Sequence, residues 1–141
     1  MNEKKLSRFY WLQKEIKDLE ERIAILDSGI SAIKYDSLSV SGSKHIDTLQ
    51  ERITELKETW MEKRVSALEE YIKIEKYILS VPDEELRLIM RYRFMDLMKW
   101  EQIGDKMGYD RTSVAKKVRG WFKQHENNWY INKNKKWWRS T

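Results

Sequence analysis

An apolar residue recurs every three or four positions near the start of the chain, and this spacing constrains the fold more than any other feature. The run comprises Phe9, Leu12, Ile16, Leu19, Ile23, Leu26, Ile30 and Ile33. Steps that alternate between three and four place these side chains on one side of an α-helix, which is the pattern of coiled-coil packing. The sequence therefore predicts a long helix that buries a narrow stripe against another helix.

A second stretch with the same spacing predicts the partner helix, from about residue 46 to 79. Its apolar residues are Ile46, Leu49, Ile53, Leu56 and Trp60 and then, one position out of phase, Met61, Val65, Leu68, Ile72 and Leu79. A shift of this kind is typical of a stutter in the repeat. Turn-forming residues at about 34–45 separate the two helices. Residues 1–79 thus form a long helical hairpin or coiled coil, either antiparallel within one chain or paired between chains as a homo-oligomer.

Composition narrows the fold class and the chemistry. Five glycines, one proline and no cysteine exclude a turn-rich β fold, a disulfide framework and a thiolate metal site, so we expect an all-α protein. There is no glycine-rich phosphate loop, and nothing brings His45 and His125 together. We expect no enzymatic activity, no cofactor and no metal. No apolar run approaches the roughly 20 residues of a membrane span, so we expect a cytoplasmic protein without a membrane partner.

The positive charge is concentrated at the end of the chain. From Arg111 onward there are nine Lys and Arg residues against one acidic residue, Glu126, although the whole chain has a net charge of only +5. Residues 1–110 are slightly acidic. This asymmetry favours a polyanionic partner for the C-terminal segment.

Residues 80–124 carry the signals of a helix-turn-helix module. The segment 80–83 has the form of a capping box and begins a helix that we expect to run through Leu97 and to end near Met98 or Lys99. A shorter helix follows, with Trp100, Ile103 and Met107 on one face, and Gly104 small enough for a close helix crossing. Gly108 supplies a corner with positive φ. Asp110 is the expected N-cap of a last helix at about 111–122, whose inner face comprises Val114, Val118, Trp121 and Phe122, with Ala115 at its border.

The outer face of that last helix predicts contacts with double-stranded DNA. Residues near the start of a recognition helix lie deepest in the major groove, which assigns base contacts to Thr112, Ser113, Lys116 and Lys117. Phosphate contacts are assigned to Arg111, Arg119 and Lys123. The basic aromatic tail at 125–141 alternates amide, aromatic and cationic residues, which suit either stacking on bases or packing on a helical core.

The segments 88–94, 100–104 and 107–114 resemble sigma-70 region 4, and the whole arrangement is similar to phage and prophage transcription regulators of Gram-positive bacteria. The resemblance covers residues 80–123 in detail and residues 1–79 in architecture. It implies a regulator of phage late genes that binds promoter-proximal DNA and contacts RNA polymerase. Region 4 commonly places a second apolar anchor three residues after the first, whereas Val114 is followed by Val118. No second sigma region is recognisable, which favours a regulator over a free-standing sigma factor.

Two other functions remain open at this stage. A DNA-packaging protein of the phage small-terminase type would also combine a helix-turn-helix with helical assembly elements, and would form a ring of many subunits. A helical adaptor would use the last module to bind a protein such as RNA polymerase without gripping DNA. The sequence favours the sequence-specific DNA-binding regulator because its turn, its helix faces and its charge asymmetry coincide.

Overall fold

Helices joined by short connections make up the part of the chain that the structure describes. The computed structural model describes the backbone of residues 1–36 and 43–139 and the side chains of residues 1–35 and 44–125. The α-helices are α1 (Glu3–Leu6), α2 (Arg8–Asp36), α3 (Ser43–Leu79), α4 (Glu84–Met90), α5 (Trp100–Met107) and α6 (Arg111–Arg139), with a π-helix at Arg91–Met95. These ranges contain no β-strand, which confirms the all-α prediction. None of the described helices is long and apolar enough to cross a membrane.

Several helix ends differ from the expected ones. The connection predicted at about 34–45 is helical at both flanks, through Asp36 and from Ser43, and its remaining residues 37–42 lie outside the described residues. The last helix, expected at about 111–122, continues to Arg139. No proline follows Phe122 in the sequence to stop it. The side chains of the predicted tail beyond His125 lie outside the described part of the chain.

The chain divides into two compact units by its contacts. We call Trp11–Glu69 the hairpin unit, and Met1–Tyr10 together with Glu70–Thr141 the end unit. The domain boundary predicted between residues 79 and 80 stays a prediction. Each unit is described separately below.

The hairpin unit pairs α2 with α3 inside one chain. The Trp60 indole Nε1 donates to Glu20 Oε1 at 3.1 Å, and the Lys63 ammonium lies 2.6 Å from Glu15 Oε2. As the residue number rises along α2 its partner's number falls along α3, so the two helices are antiparallel. The predicted seam of α2 is buried at Leu12, Ile16 and Ile30, half-buried at Leu19, Ile23 and Leu26, and exposed at Ile33.

The predicted stutter in α3 is wrong. Past Trp60 the seam stays in phase through Lys63, which is half-buried, and Ala67, which is 2% exposed. Met61, Val65 and Leu68 are instead 55%, 50% and 63% exposed. A lysine can occupy a seam position because its aliphatic stem packs while its ammonium reaches the Glu15 carboxylate at the rim. A prediction made from apolar residues alone therefore misplaced the second half of the seam.

The end unit has a thicker core, drawn from more elements than residues 80–124. The first turn of the chain and the last turns of α3 contribute to it as well. Its buried residues include Leu6, Ile74, Ile78, Val81, Leu86, Ile89, Met90, Phe94, Ile103, Val114, Val118 and Phe122. Within this unit α4 begins at Asp83, whose carboxylate accepts from the amides of Glu85 and Leu86 at 3.0 and 3.2 Å.

The helix expected to run through Leu97 ends earlier. After Met90 the backbone widens into the π-helix, which closes with the Asp96 amide donating to the Arg91 carbonyl at 3.0 Å. Leu97 then adopts a φ of 58°, which reverses the chain. The Arg93 guanidinium holds this bend by donating to the Met98 carbonyl at 3.0 Å and by lying 4.4 Å from the centre of the Trp100 ring. No glycine or proline marks the bend, so it could not be recognised from the sequence.

Candidate nucleic-acid interface

A tight corner joins α5 to α6 in the end unit. Gly108 ends α5 with a φ of 73°, as the sequence predicted, and the Tyr109 amide donates to the Gly104 carbonyl at 2.9 Å. Gly104 is the more constrained glycine, because a Cβ built there would lie 2.6 Å from the Tyr109 carbonyl oxygen and 3.1 Å from the Arg111 amide nitrogen. The corner closes only because residue 104 has no side chain.

The first turns of α6 have a buried face and an exposed face. The helix starts where the Asp110 carbonyl accepts from the amides of Ser113 and Val114, at 3.0 and 3.3 Å. Val114 and Val118 are 1% and 0% exposed, and Ala115 is 7% exposed. The inner face therefore lies where the spacing predicted it, with Trp121 half-buried at its edge.

Six of the seven predicted DNA contacts lie on the exposed face of α6 or at its edge. Of these, Thr112, Ser113 and Lys116 occupy the first two turns. The exposed members of the set are Arg111, Thr112, Ser113, Lys116, Arg119 and Lys123. Together they present four cationic side chains and two hydroxyl groups. Such a surface suits a polyanion with hydrogen-bonding groups.

Lys117, the seventh predicted contact, is held by α4 instead. Its ammonium lies 3.2 Å from Glu85 Oε1 and 3.7 Å from Asp83 Oδ2. Burial opposes the charge of Lys117, but the hydrogen bond with Glu85 and the charges of Asp83 and Glu85 outweigh it and raise the lysine's pKa. Hydrogen bonding from the Leu86 amide, with Lys117 nearby, lowers the pKa of Asp83. Lys117, three residues after Val114, thus joins α6 to the start of α4.

Aromatic contacts further along α6 fix its rotation within the end unit. The Phe122 ring is stacked with Tyr77 at 6.3 Å and meets Phe94 edge-on at 6.2 Å. The Trp121 Nε1 donates to the Tyr77 hydroxyl at 3.0 Å. Sequence reasoning missed Tyr77 because it lies in α3, outside the segment assigned to the module. Its spacing of three from Ile74 was the available signal.

The described side chains contain no group of three or more His, Cys, Asp or Glu placed to hold a metal ion. A shallow cavity of about 190 Å³ lies between α4 and the start of α6, lined by Glu85, Ile89, Tyr109, Ser113, Val114 and Lys117. No family model, curated protein or solved structure matches the chain. The support for a function therefore comes from the exposed residues of α6 described above.

Proposed function

We propose that the protein is a sequence-specific, double-stranded DNA-binding regulator of phage or prophage transcription. In this proposal the first turns of α6 enter the major groove. One observation carries it: among the described side chains of α6, the cationic and hydroxyl ones other than Lys117 are exposed, whereas Val114 and Val118 are buried. A helix anchored on one face and polar on the other, at a glycine corner, is the arrangement that major-groove modules use.

The exposed residues divide into two roles in this proposal. Thr112, Ser113 and Lys116 contact base edges, because they lie in the first two turns of α6, where hydroxyl and ammonium groups reach hydrogen-bonding atoms of the bases. Arg111, Arg119 and Lys123 contact phosphates, which fixes the register of the protein on the duplex without selecting sequence.

Lys117 has a different role from its neighbour Lys116 in this scheme. Its ion pairs with Asp83 and Glu85 hold the start of α6 against the start of α4. A direct base contact by Lys117 would require those pairs to break, and the acidic partners would then face the DNA. We therefore assign Lys117 to positioning α6 in this proposal.

The test separates base contact from phosphate contact. Sequences bound by the full chain are first selected from a random duplex pool, and affinities for the selected and a scrambled duplex are then measured over a range of salt concentrations. Lys116→Ala should lose affinity mainly for the selected duplex, by about 1–3 kcal/mol, and so relax base preference. Lys123→Ala should weaken both duplexes similarly and reduce the salt slope by about one.

A matched control is Lys34→Ala, which removes an exposed lysine of α2 in the hairpin unit and should leave both affinities unchanged. Equal losses on both duplexes for Lys116→Ala would remove it from the base contacts. Failure of the unmodified chain to retain any duplex at low salt would end the proposal.

A further inference from the structure

A second apolar stripe runs along α3 in the hairpin unit and is not part of the seam with α2. It comprises Met61, Val65 and Leu68, which we call the outer stripe, and these side chains are 55%, 50% and 63% exposed. The same spacing reaches Ile72, which is 50% exposed within the end unit. Half-exposed apolar residues at steps of four, three and four match the spacing of the core positions of a coiled coil.

The outer stripe points away from the seam. At 100° per residue, its mean direction differs by roughly 100° around α3 from that of Ile53, Trp60 and Ala67. Ile53 and Ala67 are buried against α2, at 5% and 2% exposed. A second helix can therefore lie along the outer stripe without displacing α2.

The residue types specify which kind of helix pair fits the stripe. With Met61 and Leu68 at d positions, Val65 and Ile72 fall at a positions of the heptad. β-branched residues at a with leucine at d favour a parallel, two-stranded coiled coil, and here leucine occupies one of the two d positions and methionine the other. In a parallel pair each core layer contains the same residue from both helices, so a second copy of α3 supplies the matching layers.

The flanking charges are also complementary between two parallel copies. In such a pair a g residue of one helix meets the e residue five positions later in the other. Lys57 and Arg64 are the g residues, and Glu62 and Glu69 are the e residues that they would meet. All four are exposed. The dimer would thus contain four ion pairs between the copies, two through the g residues of each copy, and no pair of like charges in this stretch.

We propose that the protein forms a parallel homodimer through the outer stripe of α3, with Lys57–Glu62 and Arg64–Glu69 ion pairs between the copies. The in-chain hairpin between α2 and α3 remains intact in this dimer. The proposal does not depend on DNA binding, because the outer stripe lies on α3 and the residues that we propose contact DNA lie on α6.

The first experiment measures the mass of the full chain in solution by sedimentation equilibrium. The unmodified chain should be a dimer, and Leu68→Glu should raise its dissociation constant by about 100-fold or more, because two leucines leave the interface. Ile25→Glu is the matched control, since Ile25 is 71% exposed on α2 and lies outside the stripe; it should leave the dimer unchanged. Circular dichroism checks that both variants stay helical. A monomeric or trimeric parent chain, or a dimer that tolerates Leu68→Glu, would overturn the proposal.

A charge swap tests the ion pairs and the direction of pairing. Arg64→Glu and Glu69→Arg should each weaken the dimer by roughly threefold to tenfold, since each brings like charges together twice. The double variant should recover the parent affinity. Two single variants that weaken the dimer without recovery in the double variant would contradict the proposed register.

Introduced cysteines give an independent readout of direction, because the chain has none of its own. In a parallel pair, Met61→Cys and Leu68→Cys each place two thiols in the same core layer, and both variants should form a disulfide-linked dimer on mild oxidation. In an antiparallel pair at most one of the two positions lies at the twofold axis. Cross-linking at only one position, or at neither, would therefore overturn the parallel arrangement.

Discussion

The hairpin unit and the end unit bury their apolar residues in different ways. In the hairpin unit burial is confined to one stripe per helix, and its best-covered isoleucines, such as Ile16 and Ile53, keep 6% and 5% of their surface exposed. In the end unit Ile78, Ile89 and Ile103 are 0% exposed, because neighbouring elements cover them on every side. One unit is thus a seam between two helices, and the other is a closed core.

The difference predicts where the chain is sensitive to substitution. A seam between two helices can relax when a side chain is shortened, because solvent already reaches its edges. A closed core cannot collapse as easily, so an empty volume remains and costs free energy. The α5–α6 corner adds a backbone constraint at Gly104 that Gly29 in the hairpin unit does not share.

The largest expected difference is between isoleucines in the two units. Ile103→Ala should lower the free energy of unfolding by about 2–5 kcal/mol, since it leaves a cavity in the closed core. Ile23→Ala, at a half-buried seam position, should cost roughly half as much. Urea unfolding followed by circular dichroism measures both. Equal costs at the two positions would show that the hairpin seam is as closed as the core of the end unit.

Glycine-to-alanine substitutions should have opposite effects at the α5–α6 corner and within the long helices. Gly104→Ala should destabilise the end unit by about 1–3 kcal/mol, because the new Cβ would lie 2.6 Å from the Tyr109 carbonyl oxygen, a backbone atom that cannot swing aside. Gly29→Ala in α2 and Gly120→Ala in α6 have nothing within 4 Å of the new Cβ and should each stabilise by roughly 0.5–1 kcal/mol. Thermal unfolding reports all three. A neutral Gly104→Ala would mean that the corner opens at little cost.

Periodicity predicted the faces of regular helices well. The seam of α2 and the inner face of α6 at Val114 and Val118 lie where the spacing placed them. Both predictions depend only on the geometry of an α-helix, which repeats along the chain. The corner at Gly108 was also predictable, because few residues other than glycine adopt its φ of 73°.

Features that depend on a partner or on an irregular backbone could not be predicted in this way. The phase of α3 after Trp60 was misplaced because Lys63 is charged and Ala67 is small, yet both occupy the seam. The residue type of Leu97 does not indicate its positive φ. Lys117 has the same side chain as Lys116, but it is half-buried and pairs with Asp83 and Glu85 at the start of another helix. In each case the deciding atom belongs to a residue distant in sequence or to the main chain.

A smaller effect is expected at the start of α4. Asparagine can also cap a helix, so Asp83→Asn keeps an oxygen for the Glu85 and Leu86 amides but removes the charge that pairs with Lys117. The pKa of Asp83 is lowered in the folded chain, chiefly by the Leu86 amide, so the charge stabilises the fold above the ordinary aspartate pKa of about 4 and ceases to do so as the pH falls through the lowered value. The variant should therefore have a lower melting temperature than the parent near pH 7, and the two melting temperatures should converge in acid. If the difference in melting temperature stays unchanged at the lowest pH, the asparagine destabilises the start of α4 through its shape rather than through the lost charge.

The smallest effect is expected at the rim of the hairpin seam. Glu15→Gln removes the ion pair with Lys63, whose side chains are 55% and 38% exposed, and should cost only about 0.2–1 kcal/mol. Glu21→Gln is the control, since Glu21 is exposed on the opposite side of α2. High salt should remove most of the difference between the two variants, because solvent and ions already screen an exposed pair. A larger cost that persists in salt would mean that Lys63 needs its partner in order to occupy the seam, and the hairpin would then depend on charge as much as on apolar spacing.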